Sequence, residues 1–352
     1  MIRSEDQITT SQAIVVFVSY IMAAGVLSLP RTAAEEAGAP DVWISVLLGG
    51  LVTTAAGVVM TKLSQDYPGQ TFFQYGEDIV GKWLSIVISL FFIDHFIAIA
   101  AFEARIMAEV IIFFLLQQTP IWAIVMSMMW VGFYSIKDGM GSLARLFEII
   151  FPVTILFFLT VVFMSFGIFE LDNLRPVLGK GIMPAIKGTK ATTLSFISAE
   201  VMVFLLAFMK KPKDGVKVAV MGIGIAMLFY LTTVVFVIGG LSVDGVTAMT
   251  WPTLNLIRSF EMPGLIFERF ESLLLVIWIM QLFATFSVSF YAASLGLSQI
   301  FKKKSRPIMS PRENTSSIFF GVIASKYITG SRPNMIGLLF FLKICESPRD
   351  AA

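Results

Sequence analysis

Long apolar runs separated by short polar breaks set the rhythm of this chain. A membrane-spanning helix needs roughly 20 mostly apolar residues. The runs predict eight spans, at about 9–37, 41–62, 83–116, 120–136, 144–168, 189–209, 215–241 and 271–300. Thr9, Thr10 and Ser11 offer side-chain oxygens to cap the start of the first. That first span is interrupted by Tyr20-Ile-Met-Ala-Ala-Gly-Val-Leu-Ser-Leu-Pro30. Glycine loosens a helix interior, and proline lacks an N–H and clashes with the preceding turn. Within a bilayer a broken helix survives only where protein or a water-filled cavity covers its freed backbone groups. The stretch therefore reads either as a discontinuous helix of the kind that builds transporter binding sites or as a kinked structural helix.

The second span opens at Asp41 and is rich in small residues, Gly49, Gly50, Ala55, Ala56 and Gly57, which let helices approach closely. Between Lys62 and Lys82 the apolar residues at 72, 73, 75, 79 and 80 follow helical spacing, which predicts a short interfacial helix. Residues 169–191, with Pro176, Pro184 and several glycines, read as a loop with room for a short helix. Residues 242–270, with Trp251-Pro252 and Met262-Pro263, read as a structured cap on the outer side. From about 305 the pattern fails. The later apolar runs, Ile318–Ile328 and Met335–Ile344, are short, and Lys326 interrupts the first. The expectation is a transmembrane domain over 1–304 and an atypical tail over 305–352, with an altered reading frame or a natural polar tail as its origin.

Composition agrees with the pattern. The chain of 352 residues is 57% hydrophobic and 14% charged, and its mean hydropathy is +0.83. Soluble domains are about 45–50% apolar and about 25% charged. The fold class expected is an all-α polytopic membrane protein in the lipid bilayer. A net charge of +2 gives no nucleic-acid footprint. One cysteine, Cys345, excludes an intrachain disulfide, and one histidine, His95, argues against a His-based zinc site or a Ser-His-Asp triad. The polar, acid-bearing N-terminus is not a cleavable signal. Lysine and arginine bias, strongest at Lys210-Lys211-Pro212-Lys213 and Lys302-Lys303-Lys304, puts the N-terminus on the cytoplasmic side.

Ionisable groups at membrane depth are costly, so each is a functional candidate. Asp94 and His95 lie midway along the third span, with Glu103, Arg105 and Glu109 further on. They form either a proton or ion relay or a structural polar seam. Glu200 follows Ser195-Phe-Ile-Ser-Ala in the sixth span and is the best single coupling or gating candidate. If the first and sixth spans both break, half-helix N-termini can face an anion while free carbonyls bind a cation. An amino acid fits that geometry. Ser28, Ser195 and Ser198 offer hydroxyls to such a ligand or pack between helices; Gln281 and Tyr291 in the eighth span read as packing or pore-lining groups. No GxxxxGK[ST] loop, nucleophile motif or metal signature occurs. The expectation is a protein that is not an enzyme and carries no cofactor.

Several motifs together resemble the GerAB-type spore germination proteins. They are Glu5-Asp-Gln-Ile-Thr-Thr-Ser-Gln12, Gly25-Val-Leu-Ser-Leu-Pro30, Ala37-Gly-Ala-Pro-Asp-Val-Trp43, Tyr67-Pro-Gly-Gln-Thr-Phe-Phe73, and Arg175-Pro-Val-Leu178 followed by Gly181-Ile182. The resemblance covers about residues 3–304. It implies the amino acid/polyamine/organocation transporter superfamily: a five-plus-five inverted repeat of ten spans, with helices one and six broken. Spans nine and ten are then atypical or missing here. It further implies the membrane subunit of a nutrient germinant receptor in the inner spore membrane, beside a larger membrane subunit and a lipoprotein subunit. A small germinant, commonly an amino acid, would bind and trigger ion release. Carried over by position, the ligand site is Ala23, Ala24, Gly25, Val26 and Leu27 from span one and Ser195, Phe196, Ile197, Ser198 and Ala199 from span six. Ile97 and Ala101 of span three form its wall, and Glu200, Asp94 and His95 are the coupling candidates. An ion-coupled amino-acid transporter and a non-functional remnant are the competing readings.

Overall fold

A computed structural model describes residues 6–196, 198–259 and 270–300. Ile197, residues 260–269 and the tail at 305–352, expected in place of spans nine and ten, lie outside the described residues. Among the described residues the protein is all-helical; the one strand-like feature is an isolated parallel bridge between Ile8 and Met209. Six stretches are long and apolar enough to cross a membrane: Val42–Gln65, Lys82–Phe114, Met140–Ser165, Met183–Phe208, Pro212–Ala248 and Trp278–Ile300. A bent pair, α1 (Thr10–Ile21) and α2 (Ala23–Ala37), makes a seventh candidate. The protein is a multi-pass membrane protein.

The remaining helices are α3 (Val42–Gln65), α4 (Phe72–Val80), α5 (Lys82–Phe114), α6 (Ile121–Ile136), α7 (Met140–Ser165), α8 (Met183–Ser195), α9 (Met202–Leu205), α10 (Gly215–Ala248), α11 (Pro252–Arg258) and α12 (Phe270–Ile300). All eight expected spans are helical, although α6 is only 16 residues long. The interfacial helix is α4. Two boundaries move. The sixth span starts at Met183 rather than near 189, because Pro184 occupies a first-turn position, where its missing N–H costs nothing. The polar residues Lys187, Thr189 and Lys190, which suggested a loop, are helical. The seventh span, expected to end at about 241, continues as helix to Ala248 and is kinked just past Leu241. There Ser242 has φ 58° and kinks α10, a conformation that is strained for a residue with a side chain.

Local signals explain the ends. Thr9 and Gln12 form a capping box on α1: the Gln12 N–H donates to Thr9 Oγ1 at 3.3 Å and the Thr9 N–H to Gln12 Oε1 at 2.9 Å. Asp41 precedes α3 but does not cap it. Its Oδ1 accepts the N–H of Leu178 at 2.8 Å, which fastens the 169–182 segment to the start of α3.

The chain divides into two compact units. One contains Gln7–Thr71 and Ala144–Thr285, hence α1 to α3, most of α7, α8 to α11 and the first half of α12. Its core is built on small residues. A Cβ on Gly49 would collide with Thr192, and one on Gly188 would lie 2.6 Å from Ser45 Oγ. Thr192 Oγ1 donates to Ser45 O and Ser45 Oγ to Ala185 O, both at 2.7 Å. So α3 and α8 approach closely enough to be tied by side-chain-to-backbone hydrogen bonds. Spans one and six are also joined at their ends: the Ile8 N–H donates to Phe208 O at 2.8 Å and the Lys210 N–H to Ile8 O at 2.9 Å. The other unit contains Phe72–Leu143 and the described residues from Phe286 on. Within it α4 folds onto α5, with Phe72 and Phe92 ring centroids 4.8 Å apart. Gly296 of α12 leaves room for Ile93 and Phe73, which a Cβ would approach to 2.7 and 2.8 Å.

Candidate functional site

The backbone of span one breaks at Met22, where α1 and α2 meet at 44°. Met22 lies within the Tyr20–Pro30 stretch that the sequence singled out, but Gly25 and Pro30, the residues that marked it, are helical and lie within α2. The cause is a tertiary contact. In an unbroken helix the Gly25 N–H would donate to the carbonyl of Ile21. Here that carbonyl accepts the hydroxyl of Tyr230, from the middle of α10, at 2.5 Å. A Cβ on Gly25 would collide with that hydroxyl and lie 2.8 Å from the ring carbon Cζ. Tyr230 thus wedges into the ladder through the space a side chain at position 25 would fill. Insertion of a side chain into the i→i−4 ladder is a recognised cause of helix kinks. One residue earlier, Tyr20 O accepts the Thr285 hydroxyl of α12 at 2.8 Å. The carbonyls released by the break therefore have partners, as apolar surroundings require.

Span six breaks where expected. Helix α8 ends at Ser195, and the chain resumes in 3₁₀ form at Ala199–Val201 before the short α9. Ser198 bridges the gap in extended backbone, and its hydroxyl, fully buried, donates to Phe196 O at 2.8 Å. Ser195 Oγ donates to Ala191 O at 3.2 Å. Both serines are thus held by backbone oxygens, each keeping lone pairs to accept with.

The same Tyr230 hydroxyl lies 3.3 Å from Ser195 O, the last carbonyl of α8. Its ring meets Phe196 edge-on at 4.9 Å. One side chain therefore touches both breaks. A phenol has a single proton to give. The shorter contact gives it to Ile21 O, which leaves Ser195 O free to accept from another donor. Meanwhile the first N–H groups of α2, at Ala23, Ala24 and Gly25, have lost their ladder partners and sit at the positive end of the helix dipole. The arrangement offers donors and an acceptor around one point.

Ala23, Ala24, Val26 and Leu27 are buried on α2; Phe196, Ser198, Ala199 and Glu200 are buried around the second break. All of these belong to the unit that also holds Tyr230 and Thr285. Ile197 is outside the described residues. Ile97, Ala101, Asp94 and His95 lie on α5 in the other unit. Ile97 and Ala101 are buried, His95 is half-buried and Asp94 is exposed. Sequence reasoning did not find Tyr230 or Thr285. The available signal for Tyr230 was a hydroxyl-bearing ring in the middle of an otherwise apolar span.

A cavity opens beside α2. It encloses about 530 Å³ counting its mouth, and Val26, Phe158, Thr233, Thr253, Leu256 and Trp278 are among its walls. Thr253 Oγ1 donates to Val26 O at 2.8 Å, which pins α11 to α2 at the cavity edge.

Comparison with known proteins places the chain. A family model described as spore germination protein matches residues 7–326. Spore germination protein YndE of Bacillus subtilis (strain 168) is 55% identical over 342 residues, covering 97% of this chain and 92% of that relative. Spore germination protein A2 of the same organism is 38% identical over 295 residues, covering 84% of this chain and 81% of its own length. Spore germination protein B2 is 33% identical over 341 residues, covering 97% and 90%. The family match passes residue 304, so the likeness reaches into the tail.

Proposed function

Because the chain belongs to the spore germination protein family, we propose that it is a non-enzymatic membrane subunit of a spore nutrient receptor, binding a small germinant of the amino-acid class where spans one and six break. The observation that carries this reading is the Tyr230 hydroxyl, within hydrogen-bond reach of both Ile21 O and Ser195 O. A zwitterion matches what surrounds it. Its carboxylate takes the free N–H groups of Ala23, Ala24 and Gly25 at the start of α2. Its ammonium takes Ser195 O, the carbonyl that Tyr230 leaves without a proton. Ser198, Ala199 and Glu200 close the far side. Glu200, one residue into the 3₁₀ turn after the break and buried, is the coupling group; Asp94 and His95 serve ion movement along α5.

The reading carries with it a five-plus-five transporter architecture, and what supports it is that one compact unit holds both broken spans with α3, most of α7 and α10. The receptor's other parts are a larger membrane subunit and a lipoprotein subunit. Ligand binding shifts the tie between the breaks and is passed on as ion release. The lysine and arginine bias sets the N-terminus in the cytoplasm, in the inner spore membrane.

Purified full-length protein should bind one or more L-amino acids saturably in detergent. The same protein in liposomes should show no accumulation driven by a proton or sodium gradient. Gradient-driven accumulation would make it an ion-coupled transporter instead. Absence of binding to every amino acid tested would remove the ligand class proposed.

A further inference from the structure

Gln281 of α12 is fully buried, and neither atom of its carboxamide has a hydrogen-bond partner among the described residues. An amide buried without partners is costly, about 1–3 kcal/mol for each orphaned group, so its position demands an explanation. Its neighbours along α12 supply one. Residues 278, 281 and 285 are three and four apart and share a helix face. Thr285 holds Tyr20 O, at the end of α1. Trp278 lines the cavity that Val26 of α2 also lines, and its indole N–H is likewise buried without a partner among the described residues. Gln281 lies on α12 between Thr285, which touches the end of α1, and Trp278, which shares a cavity with Val26 of α2. All these groups lie within one compact unit.

We propose that Gln281 is a specificity residue, reading an uncharged polar group on the ligand's side chain. The inference rests on the amino-acid reading above and deepens it. The backbone groups at the break treat every amino acid alike, because they meet only the α-carboxylate and α-ammonium. Discrimination must come from a side chain. A carboxamide offers two N–H donors and one carbonyl acceptor without net charge. The complementary ligand group both gives and takes a hydrogen bond, as a hydroxyl or another carboxamide does. A charged ligand side chain would enter a pocket that offers no counter-ion at Gln281, and an apolar one would leave the amide unpaired.

The experiment measures equilibrium binding of two matched pairs to purified full-length protein: serine against 2-aminobutyrate, and asparagine against leucine. Within each pair size is similar and only the polar group differs. The parent protein should bind the polar member about 10-fold or more tightly than its apolar match. In Gln281→Met, which keeps length and volume, that preference should vanish while the apolar members bind as before. The parent comparison stands even if the variant does not fold. Equal affinity within both pairs in the parent would overturn the inference and leave the amino-acid reading intact. So would a Gln281→Met loss that falls equally on polar and apolar members. Failure of the parent to bind any of the four, or any other amino acid, would overturn the amino-acid reading itself and this inference with it.

Discussion

Gly25→Leu should abolish ligand binding, and Gly25→Ala should already weaken both binding and stability. The reason is steric rather than conformational. Gly25 lies in ordinary helix within α2, so glycine is not needed there for its backbone freedom. It is needed because the Tyr230 phenol occupies the volume of its missing Cβ. Forcing an extra methyl into a packed site typically costs about 1–3 kcal/mol, and a leucine adds far more volume than a methyl. The collision specifies its own control. In a double-mutant cycle of Gly25→Ala with Tyr230→Leu, the second substitution removes the phenol that the alanine strikes. The penalty for Gly25→Ala should then shrink, with a coupling of about 0.5–3 kcal/mol. Thermal unfolding in detergent reads the stability arm. Simple additivity would mean that the two residues do not meet as described.

Tyr230→Phe should be nearly as damaging at constant shape. The ring and its edge-on contact with Phe196 remain, and only the hydroxyl goes. Ile21 O then loses its donor inside a buried, bent segment, at a cost of about 1–3 kcal/mol. The variant also makes a structural prediction. With the wedge removed, the Gly25 N–H can return to Ile21 O, and the α1–α2 bend of 44° should relax toward a continuous helix. Ligand affinity should fall because the free N–H groups at the start of α2 are consumed. A folded Tyr230→Phe protein with unchanged affinity would show that the hydroxyl is not part of the site.

The sequence and the structure agree where local chemistry decides. The capping box of Thr9 and Gln12, the amphipathic α4 and the close approach made by Gly49 follow from residues near one another in the chain. The kink just past Leu241 falls where polar residues begin, at Ser242, although the helix continues to Ala248. Errors arise where a distant partner decides. Pro30 and Gly25 are the residues that propensity flags as helix breakers, yet both are helical. Pro30 is a helical residue of α2, eight positions past the break. The ladder fails at Met22, a residue with no breaking tendency, because a phenol about 200 positions away reaches its neighbour's carbonyl. Span six shows the reverse. No glycine marks Ser195–Glu200, so local propensity alone gave no break; the family resemblance pointed to it, and the helix does end at Ser195. Gln281 read as packing or pore-lining, because an amide in an apolar run looks the same whether its hydrogen bonds are met or not. Only burial without partners distinguishes the cases.

In the proposed function the two breaks form one ligand site. Hydrogen–deuterium exchange on the purified full-length protein, with and without a saturating amino-acid ligand, tests it most directly. Backbone N–H groups at 22–26 and at 195–202 should gain protection together and over the same ligand concentrations, while the capped start of α1 stays unchanged. Protection confined to one of the two segments, or appearing only elsewhere in the chain, would contradict the claim.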